Sequence, residues 1–288
     1  MKTEKTVLEK GGFSFYKASF RTFMKTEAMK GFHYLLFLLI FISCKNDSGQ
    51  PVEIVRPPKV LSFSQNIEEA HNKPAFRGHE VVTFHIKLKF GGNTRLDANI
   101  SMTTNSEKVR VANANGATLV YDGKKLYLSP ASANGKNARF DIFTWQYFFS
   151  LPFKLTDPGT IWEEKSARKL NGNTYQTARL TFMPGTGDSP EDWYLIYKDP
   201  DTNRLKAAAY IVTFNSEPEE AEKNPHIIVY SDYVMVEEVA FASNWKFYKW
   251  SEENGIGQQL GEAEISDIHF IEKEKGLFKK PTDSRIID

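Results

Sequence analysis

VTFHIKLKF, residues 82–90, alternates apolar and polar side chains without a break. An alternation with a period of two predicts a β-strand that buries one face. Gly91-Gly92-Asn93 then turns the chain, and residues 96–102 (LDANISM) continue the alternation. We therefore expect two neighbouring strands that share one buried face.

Further strand patterns follow along the chain. Asp122-Gly123 separates Thr118–Tyr121 from Lys125–Ser129, and Asp-Gly between apolar segments predicts a tight hairpin. About ten sequential strands joined by short turns, with two helical segments, predict an α+β fold in which a curved antiparallel sheet wraps around a helix. The strands predicted in the second half are Tyr175–Phe182, Asp192–Lys198, Arg204–Phe214, His226–Val236, Trp245–Trp250 and Glu262–Glu272.

Two segments predict helices. Ser64–His71 has Ser64 as a candidate N-cap, and the following Lys73-Pro74 should end it. Asp141 is the candidate N-cap of a second helix, whose residues 142–149 (IFTWQYFF) are apolar on nearly every face before Pro152 stops it. We expect this second helix to be buried.

Aromatic side chains are densest in and after this second helix. Large rings bury much area per residue, so the cluster forms either core or the wall of a ligand cavity. Its members are Phe140, Phe143, Trp145, Tyr147, Phe148, Phe149 and Phe153. The candidate ligand-binding residues among them are Phe143, Trp145, Phe148, Phe149 and Phe153.

The N-terminal region has the layout of an export signal. We interpret residues 1–28 as an extension upstream of the natural start at Met29. A basic leader, the apolar run Tyr34–Ile42 and the small residue Ser43 then form a predicted signal peptide, residues 29–43. As a helix this run would rise roughly 14 Å, about half of a hydrocarbon core, so we do not expect a permanent transmembrane helix.

Cys44 is the only cysteine of the chain. The sequence Phe41-Ile42-Ser43-Cys44 resembles the lipobox of bacterial lipoproteins, with Phe41 in place of the usual Leu. The resemblance implies acyl chains such as palmitate on Cys44, and several chains anchor a protein firmly. A polar tether, residues 44–60, would then link the membrane to a single β-rich domain, residues 61–288. The alternative is a plain secretory signal with a chance cysteine.

Short motifs stand at Phe90-Gly91-Gly92, Tyr121-Asp122-Gly123, Trp145–Phe149, Pro152–Leu155 and Asp157-Pro158-Gly159, and the chain ends with Ile265–Phe270, Gly276-Leu277-Phe278 and Pro281. Several motifs look like those of uncharacterised Bacteroidetes-type lipoproteins, and the strand order is similar to the LolA/LolB/LppX-like superfamily. The resemblance implies a half-barrel whose helices close its concave side over a cavity for lipid or acyl chains. It also implies the envelope of a Gram-negative bacterium, with the outer membrane as the expected site. The resemblance to this superfamily rests on the strand order and on the ending Ile265–Phe270, Gly276-Leu277-Phe278 and Pro281, and it covers most of residues 61–282.

Other classes of site have little support. Gly-x-Ser-x-Gly, His-Glu-x-x-His and Gly-rich phosphate motifs are absent from the sequence, so we predict no catalytic site and no cofactor. His71, His79 and His85 lack metal-ligand spacing, and Asp199–Asn203 is followed by Arg204 where a calcium loop needs glycine. A net charge of +1 gives no basis for a nucleic-acid partner. A sugar-stacking surface was also compatible with Trp193, Tyr194, Tyr197, Trp245, Tyr248 and Trp250.

Three functions are compatible with these patterns. They are a membrane-anchored module that binds a lipid or acyl chain, a structural or interaction lipoprotein with a filled core, and a hydrolase. The first agrees best with the resemblance, and it implies a protein that is not an enzyme. An apolar cavity beside the aromatic helix would favour the first function, a filled concave face the second, and convergent carboxylates or histidines in a cleft the third.

Replacing Cys44 tests the predicted anchor. Cys44→Ala should abolish acyl labelling and release the protein from membranes, because the acyl chains supply the membrane affinity. Fractionation after metabolic labelling with a fatty acid measures both effects. A chain that begins near Leu61 should be soluble and folded, whereas retention of Cys44→Ala in the membrane fraction would contradict the anchor.

Overall fold

The computed structural model describes residues 60–288. The predicted extension 1–28, the signal peptide 29–43, Cys44 and the tether up to residue 59 lie outside the described residues. None of the helices within residues 60–288 combines the length and the hydropathy that a membrane-spanning helix requires.

Thirteen antiparallel strands form one curved, unclosed sheet in the described residues. The strands are β1 (Val81–Phe90), β2 (Asn93–Thr103), β3 (Val109–Asn113), β4 (Thr118–Tyr121), β5 (Leu126–Ser129), β6 (Thr160–Leu170), β7 (Asn173–Phe182), β8 (Tyr194–Lys198), β9 (Leu205–Tyr210), β10 (His226–Val236), β11 (Val239–Ser251), β12 (Gly255–Ile271) and β13 (Arg285–Ile287).

The sheet consists of two meanders. Strands β1–β5 form the first and β6–β12 the second, and each strand pairs with its neighbour in sequence. A long ladder between β1 and β12 joins them, with Val82 opposite Phe270 and Leu88 opposite Ala263. Strand β13 returns to pair with β5 at one edge. The hairpins predicted at Gly91-Gly92 and Asp122-Gly123 are confirmed.

The predicted count of about ten strands is too low. The strands that the patterns missed, β6 and β13, are the two edges of the sheet. Most residues of β6 are exposed or partly exposed, and the strand carries Glu163, Glu164 and Lys165. An edge strand with charged side chains lacks the clean alternation of a half-buried strand, which is why the pattern did not reveal it.

Four short α-helices accompany the sheet in the described residues: α1 (Phe63–Ala70), α2 (Lys73–Gly78), α3 (Ala138–Ser150) and α4 (Pro218–Ala221). Ser62, not Ser64, caps α1, because Ser62 and Gln65 form a reciprocal capping box. Pro74 lies in the first turn of α2, where the N–H that proline lacks would have no partner within the helix. A 3-10 turn, Leu151–Phe153, follows α3 and contains the predicted stop at Pro152.

The sheet has apolar cores on both of its faces. Tyr194 and Ile196 of β8 belong to the main core on the concave face, whereas Leu195 and Tyr197 belong to a second core on the opposite face. This second core includes Trp193 and Trp250, and Trp245 is buried in the main core. The hypothesis of a sugar-stacking surface was therefore wrong, because five of its six rings are buried.

A buried histidine fastens the first two helices to the second meander. His71 follows α1 and is fully buried. Its Nδ1 donates to the carbonyl oxygen of Ala240 at 2.9 Å, and its Nε2 accepts the N–H of Leu205 at 3.1 Å. Acceptance by Nε2 requires a neutral ring, because both nitrogens of a protonated histidine are donors. Burial lowers the pKa of His71 from 6.5 to about 4, although the bond to Ala240 opposes this shift.

Acid should destabilise the fold through His71. The unfolded chain protonates this histidine near pH 6.5 and the folded chain near pH 4, so the contribution is complete above 6.5 and is lost as the pH falls toward 4. The free energy of unfolding, measured with urea, should therefore decrease by up to about 3 kcal/mol over this range.

His71→Gln should flatten that pH dependence while lowering stability at neutral pH. His269→Gln is the matched control, because His269 is exposed. A slope for His71→Gln as steep as that of the parent chain would contradict the assignment to His71.

Candidate functional site

Helix α3 presents two aromatic stripes. Ala138, Ile142, Trp145 and Phe149 repeat at helical spacing and face the sheet, where all four are buried. A second stripe, offset around the helix, faces away from this contact and consists of Phe140, Phe143, Thr144 and Tyr147. The helix is therefore apolar on more than one side, as its sequence predicted.

The first stripe fills the core between β1 and β11. The Phe149 ring stacks on Phe84 of β1 with centroids 3.8 Å apart, and on Phe241 of β11 at 5.0 Å. Trp145 lies edge-on to Phe247 at 6.1 Å. These rings fill the space between α3 and strands β1 and β11.

Asp141 fixes the helix against the first meander. Its carboxylate accepts two hydrogen bonds from the Arg95 guanidinium, at 2.7 and 3.3 Å, and one from Trp145 Nε1 at 3.0 Å. Burial raises the pKa of the Asp141 carboxyl, and Arg95 opposes that shift. The prediction that Asp141 is the N-cap was wrong, because α3 begins one turn earlier and Asn137 occupies the cap position.

A cavity of about 920 Å³ lies against the second stripe. The hairpin tips around Lys108 and Asp122 border one side, and the segment around Thr186 borders another. Nine aromatic rings line it: Tyr121, Phe140, Phe143, Tyr147, Phe148, Phe182, Tyr194, Tyr210 and Phe214.

The aromatic wall is continuous across three elements. Tyr147 of α3 contacts Tyr194 of β8 with ring centroids 5.4 Å apart, and Tyr194 stacks against Tyr210 of β9 at 6.1 Å. Phe148 then contacts Tyr210 at 4.9 Å. The wall forms because Tyr194 and Tyr210 are directly opposite in the β8–β9 ladder and point to the concave face.

The turn between α3 and β6 closes one end of the cavity. Gly159 has φ +91°, as the predicted helix-to-strand turn requires, and a Cβ there would lie only 2.4 Å from Thr186 Oγ1. Glycine therefore lets the β7–β8 connection pack against this turn. Arg139 of α3 forms an ion pair with Asp188 in the same connection.

The predicted ligand-binding residues divide between core and cavity. Phe143 and Phe148 line the cavity. Trp145, Phe149 and Phe153 lie in the main core, where Phe153 stacks on Phe76 of α2 at 3.9 Å.

Sequence reasoning missed the part of the wall that the second meander supplies. Asp192 and Tyr194 are two residues apart at the start of β8, and Tyr210, Val212 and Phe214 follow the same spacing at and beyond the end of β9. This period of two was a usable signal, but it shows neither which strand faces α3 nor where a gap remains.

A family model matches residues 77–254 of the chain, which is more than half of its length, and its description is a family of unknown function, DUF6503. The chain belongs to this family. A comparison with curated proteins gave no match.

The fold is similar to solved structures at low sequence identity. A LolA superfamily protein from Nitrosomonas europaea superposes with a TM-score of 0.50 and 11% identity, over 76% of this chain and 99% of that one. An outer membrane lipoprotein-sorting protein domain from Vibrio parahaemolyticus gives 0.42 and 10%, over 73% and 93%. A DUF1329 family protein from Desulfovibrio piger gives 0.41 and 10%, over 74% and 95%. The first likeness confirms the predicted LolA-like fold.

Substitutions in the two stripes of α3 should lower the free energy of unfolding by different amounts. Phe149→Ala should cost about 3 to 5 kcal/mol of unfolding free energy, because it leaves a void in the packed core. Phe143→Ala should cost about 1 kcal/mol, because the lost ring borders a space that already exists. Urea unfolding measures both. Equal losses would contradict the division between core and cavity.

Proposed function

We propose that this protein is an envelope lipoprotein, anchored through acyl chains on Cys44, that binds a lipid or acyl chain in the cavity beside α3. The observation that carries the proposal is the cavity of about 920 Å³ bordered by nine aromatic rings. Small-molecule sites have volumes of about 300 to 1,000 Å³ and mainly apolar walls.

Two cations that border the cavity are already paired, which is compatible with an apolar chain along the rings. Lys154 and Arg139 border the cavity, and both are in ion pairs, with Asp157 and Asp188 respectively. Their charges are thereby offset, so they do not prevent an apolar chain from lying along the rings. The predicted location in the envelope of a Gram-negative bacterium, at the outer membrane, agrees with such a ligand.

The alternatives account less well for the cavity. A structural lipoprotein with a filled core would bury both stripes of α3, whereas Phe140, Phe143 and Tyr147 of the second stripe are only partly buried and border the cavity. A hydrolase would require convergent catalytic groups. In the described residues no histidine borders the cavity, and Asp157 is held by Lys73, Arg77 and Lys154.

Native mass spectrometry of the full chain carrying Cys44→Ala tests the binding. This protein, exported and purified without detergent, should carry an acyl-chain ligand that lipid extraction identifies. Val212→Trp should abolish co-purification, because the indole fills space beside the ring wall while circular dichroism remains unchanged.

Met235→Trp is the matched control. Met235 is exposed on the β10–β11 hairpin, away from the cavity, so this variant should retain the ligand. A protein mass without ligand for the Cys44→Ala parent would contradict the proposal and favour the structural lipoprotein.

A further inference from the structure

Asp192 places a carboxylate in the aromatic wall. It precedes β8 and borders the cavity together with Tyr194. Its Oδ1 accepts hydrogen bonds from the backbone N–H and the hydroxyl of Thr213, both at 2.8 Å. Two donors on one oxygen favour the ionised form and hold the group in a fixed position.

No cation of the described residues forms an ion pair with this carboxylate. Among residues 60–288, no lysine, arginine or histidine lies within ion-pair distance of Asp192, and the second carboxylate oxygen has no protein hydrogen-bond donor. Burial raises the pKa of the Asp192 carboxyl, against the two bonds from Thr213. Partly buried charges in proteins are normally paired, so this oxygen is suited to a ligand.

Three tyrosine hydroxyls share this environment. Within the described residues, the hydroxyls of Tyr147, Tyr194 and Tyr210 form no hydrogen bond with the protein and are not enclosed by it, and all three residues line the cavity. Burial raises the pKa of each, and the Asp192 carboxylate contributes to all three shifts. Asp192 and the three tyrosines thus border the same cavity.

Two further lysines border the cavity without pairing with Asp192. Lys108 is partly exposed and Lys124 exposed on the hairpin tips that border the cavity. Solvent screens such charges strongly, whereas a carboxylate beside aromatic rings is screened much less. Tyrosine faces also attract cations, most of all where water is displaced.

We propose that the cavity selects an amphiphile whose polar end is a cationic nitrogen, seated between the free oxygen of Asp192 and the rings of Tyr147, Tyr194 and Tyr210. The inference rests on the proposed function, because the rest of the ligand is the apolar chain that the other rings accommodate. It adds the chemical class of the polar end, which the aromatic stripe of α3 does not specify.

Calorimetric titration with three amphiphiles of one chain length tests the class. The full chain carrying Cys44→Ala is titrated with decylammonium, decanoate and 1-decanol below their micelle concentrations. Decylammonium should bind at least about tenfold more tightly than the other two, because only it pairs with Asp192. This comparison uses the parent protein and does not depend on the folding of a variant.

Asp192→Asn then removes the charge while leaving an oxygen that accepts from Thr213. This variant should lose at least about tenfold in affinity for decylammonium and keep its affinity for 1-decanol. Glu191→Gln is the control, because Glu191 is exposed and does not border the cavity. It removes the same charge one residue away and should change neither affinity by more than about twofold.

The outcomes separate this inference from the proposed function. Equal binding of all three amphiphiles, tighter binding of decanoate, or no effect of Asp192→Asn would overturn the cationic class and leave an apolar binding site. Binding of none of the three would overturn both proposals.

Discussion

Helix α3 carries large rings on more sides than one sheet surface can cover, and this constraint shapes the whole protein. The face with Trp145 and Phe149 is satisfied by β1 and β11, which belong to different meanders and are brought together by the β1–β12 ladder. The face with Phe143 and Tyr147 needs a second apolar surface, and the tyrosines of β8 and β9 provide it. Because side chains of two elements meet there without interdigitating fully, a cavity remains.

Partly buried ionic contacts hold α3 in this orientation. At its N-terminal end, Asp141 binds Arg95 of β2. Beyond its C-terminal end, Glu68 of α1 accepts from Lys73 Nζ at 2.8 Å and from the backbone N–H and the hydroxyl of Thr156, both at 2.7 Å. Charges that are paired and hydrogen-bonded with this geometry resist displacement, because a broken pair leaves a buried charge without a partner. The cavity wall on α3 is therefore preformed.

The sequence predicts those strands in which the alternation of apolar and polar residues matches the buried and exposed faces. Strand β1 alternates because one face is buried, and Gly91-Gly92 must turn because its backbone has positive φ. Strands β6 and β13 escape prediction because half of an edge strand's hydrogen-bonding groups and most of its side chains face solvent. Strand β8 is recognisable as a strand, but its second buried face depends on contacts with Trp250, which is distant in sequence.

The candidate site shows the same division between local and long-range information. The sequence of α3 alone indicates that Phe143 and Phe148 belong to an aromatic helix. Which of its rings line the cavity and which lie in the core depends on the strands that the helix contacts. The position of Asp192 in the site is even harder to predict from sequence, because an aspartate before a strand ordinarily belongs to a turn. Only the opposition of Tyr194 and Tyr210 in the β8–β9 ladder and the bonds from Thr213 place its carboxylate among aromatic rings. A net charge of +1 for the chain conceals this local negative potential, since the electrostatic preference of a site depends on the few charges that border it and remain unpaired.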